Sequence, residues 1–351
     1  MRVHDMKTQR CDLHHRGDYG PHGPAPPVSN DARAGHRQRL RTRGMLAVRN
    51  ARAAPSVKTH HDYNPPGGTT MLKWKFGDTT ITQLIELKDD SGAVPVLPTA
   101  TPENLATIPW LKPHFVTPDD KLILNIQMMI IETPDRKMVV DTCIGNDKNL
   151  AMEAWANMQR PFLDNLKALG HDPDSIDTVI CTHLHVDHVG WNTKKVAGKW
   201  VPTFKNARYL MVESEFKHWE HLEDGFGPVF AESVQPVFDA GLVDLVQPDH
   251  QVGSGVWFES TPGHTPGHVS VHIASQGEEA IITGDMMHHP CQIARPDWVT
   301  PFDNDSPAAV ATRQAFLERY ADKPVMILGT HFADPVGGRI VRDGKTYRLA
   351  V

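Results

Sequence analysis

A layered α/β domain, with sheets inside and helices outside, is the fold class that this 351-residue chain predicts. Three observations point to it. Strand-like and helix-like runs interleave through both halves. Several short apolar runs end directly on His or Asp. Regular patterning begins only near Met71.

Residues 1–70 read as a disordered leader, leaving residues 71–351 as the folded domain. The leader joins Pro/Gly punctuation (Gly20 to Pro27, Pro65 to Gly68) to an Arg-rich stretch from Arg33 to Arg52, with almost no apolar periodicity. A solvated tail and an over-extended gene start are both open, and Met71 is a natural alternative start. From there Trp74, Phe76 and Thr79 to Leu87 show the β-branched alternation of paired strands. Lys88 to Lys121 is Pro-rich and irregular. Leu122 to Glu132 and Lys137 to Asp141 form a hairpin across Thr133-Pro134-Asp135-Arg136. Phe162, Leu163, Leu166 and Leu169 mark one helix face, with Gly170 as its stop. Thr178 to Thr182 is a buried-type strand running into His183. Ala207 to Val212, Val256 to Ser260, Val269 to Ala274, Ala280 to Thr283 and Val325 to Leu328 read as further strands, and Ala308 to Tyr320 as a helix.

Composition excludes several function classes. At 40% hydrophobic and 22% charged residues the chain is an ordinary globular protein. No apolar run reaches the ~20 residues of a membrane span. The net charge of −6 is uneven: residues 1–70 hold 12 Lys/Arg and 5 Asp/Glu, the remainder 24 and 37. An acidic body repels a phosphate backbone, so nucleic acid is not the expected partner. Cys11, Cys143, Cys181 and Cys291 lack paired spacing and no secretory signal is evident, so free thiols and a cytoplasmic address are expected.

The chemistry concentrates in Thr182-His183-Leu184-His185-Val186-Asp187-His188-Val189-Gly190. In an extended segment His183 and His185 project to one side; Asp187 keeps that parity and His188 turns off it. Imidazole nitrogen and carboxylate oxygen are the donors that Zn²⁺ takes. Downstream, His264 sits in a Gly/Pro-fixed loop (Thr261 to His268), and Asp285 and His331 each follow an apolar run. A lone His or Asp in such a place usually caps or satisfies a core. Four strand ends each delivering a ligand type is a different matter, because strand ends on one side of a sheet converge.

The motifs H-x-H-x-D-H, T-P-G-H-x-x-G-H, G-D and G-T-H together resemble the metallo-β-lactamase superfamily over residues 71–351. The resemblance implies an αββα sandwich. It implies one metal on His183, His185 and His264, a second on Asp187, His188 and His331, and Asp285 bridging both with a water or hydroxide. His268 would support its loop. The implied cofactors are two Zn²⁺, with other divalent metals able to take the same donors. Two metals ~3.5–4 Å apart bring a shared water toward neutral pKa and stabilise a developing oxyanion. Asp187 would orient the hydroxide and carry a proton to the leaving group.

Departures narrow the branch. Two-zinc β-lactamases commonly place cysteine where Asp285 stands, and flavodiiron oxidoreductases place an acid where His185 stands. The pattern from Thr182 to Thr193, His264 to His268 and Gly284 to Pro290 is similar to acyl-homoserine lactonases and methyl-parathion-type hydrolases. Those lactonases carry a catalytic tyrosine three residues after the bridging aspartate; here His288 stands there. His288 or His289 could polarise a carbonyl or protonate a leaving group, or simply be supporting or exposed histidines. Trp191, Asn192, His289, Trp110 and Phe115 are the expected substrate pocket, and Trp219, Trp298 and Phe302 are further aromatics in loops or near helix ends. The expected reaction is hydrolysis of a neutral lactone, carboxylic ester or phosphotriester. A redox or thioester-processing member, a β-lactamase side activity and a non-catalytic binding protein are the alternatives. The expected partner is a small-molecule substrate, with no nucleic acid and no membrane; a homodimer stays open as the assembly.

Overall fold

In the computed structural model, which describes residues 59–63, 71–92, 96–222 and 225–351, period-two apolar runs become two sheets packed face to face. Strands β1 (Thr59–Tyr63), β2 (Met71–Phe76), β3 (Thr79–Asp89), β4 (Leu124–Glu132), β5 (Lys137–Val140) and β6 (Thr178–Ile180) run in order through the first sheet. β7 (Thr193–Val196) and β8 (Lys199–Pro202) form a separate hairpin, and β9 (Arg208–Val212) and β10 (Val243–Val246) complete the first sheet. β1 to β5 pair antiparallel; β5, β6, β9 and β10 pair parallel. The second sheet is β11 (Gln251–Gly253), β12 (Val256–Ser260), β13 (Val269–Ser275), β14 (Glu278–Ile282), β15 (Val325–Leu328), β16 (Gly337–Asp343) and β17 (Thr346–Ala350). It is antiparallel except for the β14–β15 pair.

Alternation assigns each strand residue to a layer. In β4, Met129 and Ile131 join the apolar layer between the sheets, while Met128 and Ile130 join the cluster on the first sheet's outer face. In β14, Ala280 and Ile282 point between the sheets and Ile281 outward. Successive Cβ atoms of a strand point to opposite faces, so a strand covered on both sides is apolar at every position. The outer layers hold α1 (Pro102–Leu105), α2 (Phe162–Ala168), α3 (Val186–Val189), α4 (Glu213–Trp219), α5 (Gln235–Asp239), α6 (Cys291–Ala294) and α7 (Ser306–Tyr320). In α7, Asp305 accepts a hydrogen bond from Ala308 N at 3.0 Å as N-cap, and Ala309, Arg313, Phe316 and Leu317 form the buried stripe. The architecture is an αββα sandwich.

Within the expected leader of residues 1–70, one short segment is described. Thr59–Tyr63 forms β1 by backbone pairing with β2, which needs no apolar periodicity and so leaves no trace in the pattern. The rest of that leader, residues 1–58 and 64–70, lies outside the described residues. β16 and β17 were also not anticipated: Gly337 and Gly338 dilute the strand signal. Cys143, Cys181 and Cys291 are buried free thiols.

Candidate metal centre

The site grows from strand ends. β6 stops at Ile180, and the chain runs on to His185 in an extended conformation (φ −70°, ψ 163°) before α3 begins. Asp187 and His188 therefore lie on the first turn of a helix, so the extended parity expected for Asp187 is broken at Val186. His264 comes from the β12–β13 loop, Asp285 from just after β14, and His331 from just after β15.

The seven side chains converge. One ligand atom each from His183, His185 and His264 falls within 4.8 Å of the others, as do those of Asp187, His188 and His331. Asp285 lies between the two groups. Its Oδ2 is 3.2 Å from His188 Nε2, 3.6 Å from His264 Nε2 and 3.8 Å from His183 Nε2, and its Oδ1 is 3.1 Å from His331 Nε2. His288 joins from the side, with Nε2 3.3 Å from Asp285 Oδ2.

Supporting groups fix which nitrogen faces inward. His188 Nδ1 is 2.9 Å from Asp141 Oδ2, His264 Nδ1 is 3.0 Å from Asp303 Oδ1, and His331 Nδ1 is 2.8 Å from the Asn125 carbonyl. An ionised carboxylate or a carbonyl only accepts, so each of these Nδ1 atoms carries the hydrogen. His183 follows through a relay: the Thr182 hydroxyl donates to Asp141 Oδ2 at 2.8 Å and stands 3.1 Å from His183 Nδ1. Four Nε2 atoms are thus turned toward one centre. His183 Nε2 and His264 Nε2 stand 3.2 and 2.9 Å from His185 Nδ1, and His331 Nε2 is 3.3 Å from His188 Nε2. Imidazole nitrogens gathered this closely around two carboxylates are the donor arrangement that divalent cations take. The donor set of five imidazoles and two carboxylates therefore fits two borderline divalent metals.

Electrostatics agree. Burial drives the His183 and His264 imidazoles well below their usual pKa, and His185 down to about 4, so all three are neutral donors. Burial also opposes charge on His188, but Asp285, Asp187 and Asp141 outweigh it and hold that imidazole well above its usual value. A metal must displace that proton to bind. Burial opposes the Asp285 charge too, yet His188, His331 and His288 keep its carboxyl well below the usual carboxylate range.

Three further groups were missed by sequence reasoning. Asp141 follows β5 as Asp285 follows β14, a strand-end signal that could have been read. Glu215 is buried, accepting Leu184 N (3.1 Å), Gly267 N (2.9 Å) and Trp219 Nε1 (2.7 Å), and so ties the His183–His188 segment to the His264 loop. Asp303 had no sequence signal. His268 supports its loop: its Nδ1 meets the Thr261 hydroxyl at 2.8 Å, and its Nε2 accepts Asp285 N at 2.8 Å. Gly284, at φ +55°, would bring a Cβ to 2.6 Å from that Nε2, so only glycine fits between His268 and Asp285.

Above the centre lies a cleft open to solvent. His185, Asp187, His264, Asp285, His288 and His331 form its floor. Its walls are Val96, Leu124, Ile126, Met152, Trp155, Val186, Phe226 and Phe302, with Asp89. Trp155 and Phe226 stack with centroids 6.5 Å apart, and Phe302 packs on Phe226 at 5.6 Å.

None of the five expected pocket residues lines this cleft. Trp191 is buried, stacked on Phe162 at 5.6 Å, with Nε1 donating to Glu86 Oε1 at 2.6 Å. Asn192 is buried and accepts the Thr142 hydroxyl at 3.0 Å. His289 donates from Nε2 to the Phe115 carbonyl at 2.8 Å and accepts Cys291 N at 3.1 Å, and burial lowers its pKa to about 4. Phe115 is buried in the apolar cluster outside the second sheet, and Trp110 packs half-buried against it. Sequence proximity to a ligand motif does not say which way the next side chain turns. Trp219 instead stands edge-on to His185, 5.2 Å between centroids.

Among the described residues no helix is long and apolar enough to cross a membrane. An N-acyl homoserine lactonase of a Bacillus species is 26% identical over 173 residues, 46% of this chain and 63% of the relative. The N-acyl homoserine lactonase AttM of Rhizobium radiobacter is 30% identical over 115 residues, 31% of this chain and 40% of the relative. The chain thus spans less than two thirds of either relative. AidC, a dizinc quorum-quenching lactonase solved with a product N-hexnoyl-L-homoserine, shares the fold at TM-score 0.65 and 22% identity, over 79% of this chain and 96% of AidC. The hydrolase AbOPH of the beta lactamase superfamily does so at TM-score 0.64 and 24% identity, over 79% and 95%. The family model of the metallo-beta-lactamase superfamily matches residues 124–331, more than half of the chain, and this chain belongs to that superfamily.

Proposed function

We propose that this chain is a two-zinc hydrolase of neutral ester-type bonds, lactones first among them. The observation that carries the reading is the set of inward-facing imidazole nitrogens around Asp285, at the floor of a cleft whose walls are apolar apart from Asp89. The lactonase relatives support the choice of bond. Bound at His183, His185 and His264 and at Asp187, His188 and His331, two metals would supply Lewis acidity and an activated water.

The residues of the chain do the rest. Asp285 holds the two halves of the centre together. Asp187, 3.6 Å from both His188 Nε2 and His331 Nε2, has its carboxylate at the cleft floor. There it can orient the attacking water and take its proton for delivery to the leaving oxygen. His288 lines the same floor with its Nε2 3.3 Å from Asp285 Oδ2, where it can polarise a substrate carbonyl or protonate a leaving group. The apolar walls hold the substrate and keep bulk water away. The site is suited to a soluble small molecule, and the cytoplasm remains the proposed address.

The test is metal content with a hydrolysis panel of an aryl ester, a γ-lactone, a phosphotriester and a β-lactam. About two zinc per chain with lactone turnover supports the reading, and phosphotriester turnover alone would shift the bond type. Iron, or no turnover after reconstitution, would overturn it. Asp285→Ala should lose activity together with the second metal.

A further inference from the structure

The cleft walls are apolar with one exception. Among the described lining residues outside the metal centre, Asp89 alone carries a charge or a strong acceptor. Its position is built into β3. Leu84 faces the outer cluster of the first sheet, and simple alternation would then turn residue 89 away from that face. A bulge between Ile85 and Leu87 reverses the parity, so Leu87 packs on the same cluster. Asp89, paired with Leu124, then lies on the face that gives the cleft Leu124 and Ile126. Ser91 donates to Asp89 Oδ1 from its backbone N (2.9 Å) and its hydroxyl (2.6 Å), which fixes the carboxylate. Oδ2 takes no hydrogen bond from a described residue.

A ligand that fills this cleft strips water from Asp89. An unpaired charged acceptor beside apolar groups is costly, so a ligand arm without a donor there binds worse. An anionic arm adds repulsion. We propose that Asp89 is a specificity-determining residue that accepts a hydrogen bond from an N–H donor on the substrate arm lying along the Leu124–Ile126 wall. An amide N–H is the donor class that suits an otherwise neutral, apolar ligand. This rests on the hydrolase reading above and adds a requirement on the part of the substrate that does not react.

The experiment compares two γ-butyrolactones with the same hexanoyl arm, one joined by an amide and the other by an ester oxygen that lacks the N–H. In the zinc-loaded full chain the amide should be preferred in kcat/KM by roughly tenfold or more, the size of one hydrogen bond to a charged group. Asp89→Ala should bring that ratio to about one, and Asp89→Asn, which keeps an acceptor oxygen, should retain part of it. An unchanged ratio in Asp89→Ala overturns the proposal, even if both rates fall, since equal falls mean a structural role. A trimethylammonium arm bound as well as the amide also overturns it, because charge rather than a hydrogen bond would then be recognised. Turnover of neither lactone by the unmutated protein sinks the hydrolase reading instead. Calorimetric binding of the same pair then decides the matter: a preference lost in Asp89→Ala supports the role, and equal binding refutes it.

Discussion

The carboxylate of Asp303 is buried 3.0 Å from Nδ1 of His264, and the same loop places Phe302 in the cleft wall. Two backbone bonds, Asn304 N to His264 O and Asp305 N to Gly263 O, both 2.9 Å, clamp this loop to the ligand loop. Asp303 therefore sets the tautomer and the angle of His264, one of the proposed metal ligands. Asp303→Ala should weaken zinc binding by roughly 10–100-fold, the usual effect of losing an orienting partner. Asp303→Asn, whose amide oxygen still accepts, should recover part of it. Chelator competition reads this without reference to activity, and an unchanged affinity in Asp303→Ala would remove the role.

Glu86 anchors the loop that follows β5. Its buried carboxylate accepts Ile144 N (2.7 Å), Gly145 N (3.1 Å) and Trp191 Nε1 (2.6 Å). Glu86→Ala strands three donors at about 1–3 kcal/mol each, so a loss of several kcal/mol is expected. The urea midpoint measures it.

Lys148 makes stability depend on alkaline pH. It is buried, donates to the Thr193 hydroxyl at 2.7 Å and lies 3.8 Å from the Trp200 ring centroid. Burial nevertheless lowers its pKa to about 7. Between about pH 7 and the unfolded value near 10.4 the unfolded chain binds more protons than the native one, so this group makes stability rise with pH there. Below pH 7 the cost of the buried charge is fully present. Lys148→Met should be at least as stable at pH 6 and should lose the rise between pH 7 and 10, which denaturation across that range would reveal. A parallel pH profile in the variant would count against the assignment.

The aromatic wall sets how much apolar substrate is held. Each methylene buried against it contributes about 0.8 kcal/mol, so kcat/KM should climb with the length of an acyl arm. Trp155→Ala should flatten that dependence more for long arms than for short ones. An equal effect at all lengths would place Trp155 in folding alone.

The linear order of residues decided the elements and the donors. Apolar alternation located β3, β4, β9, β12 and β13, and the α7 stripe was visible as a helix. The seven donors each sat at the end of an apolar run or in a Gly/Pro-fixed loop. These are local properties, set by backbone geometry over a few residues. What lay outside local reach was decided by packing. The supporting groups Asp303 and Glu215 act on residues 39 and 31 positions away, and the cleft draws Asp89, Met152, Trp155, Phe226 and Phe302 from four separate segments. Trp191 and Asn192 follow the ligand motif directly, yet they turn into the core where Glu86 and Thr142 await them. The direction of a side chain depends on which distant partners satisfy it. For this protein the sequence determined the chemistry of the centre, and the tertiary structure alone decided what surrounds it.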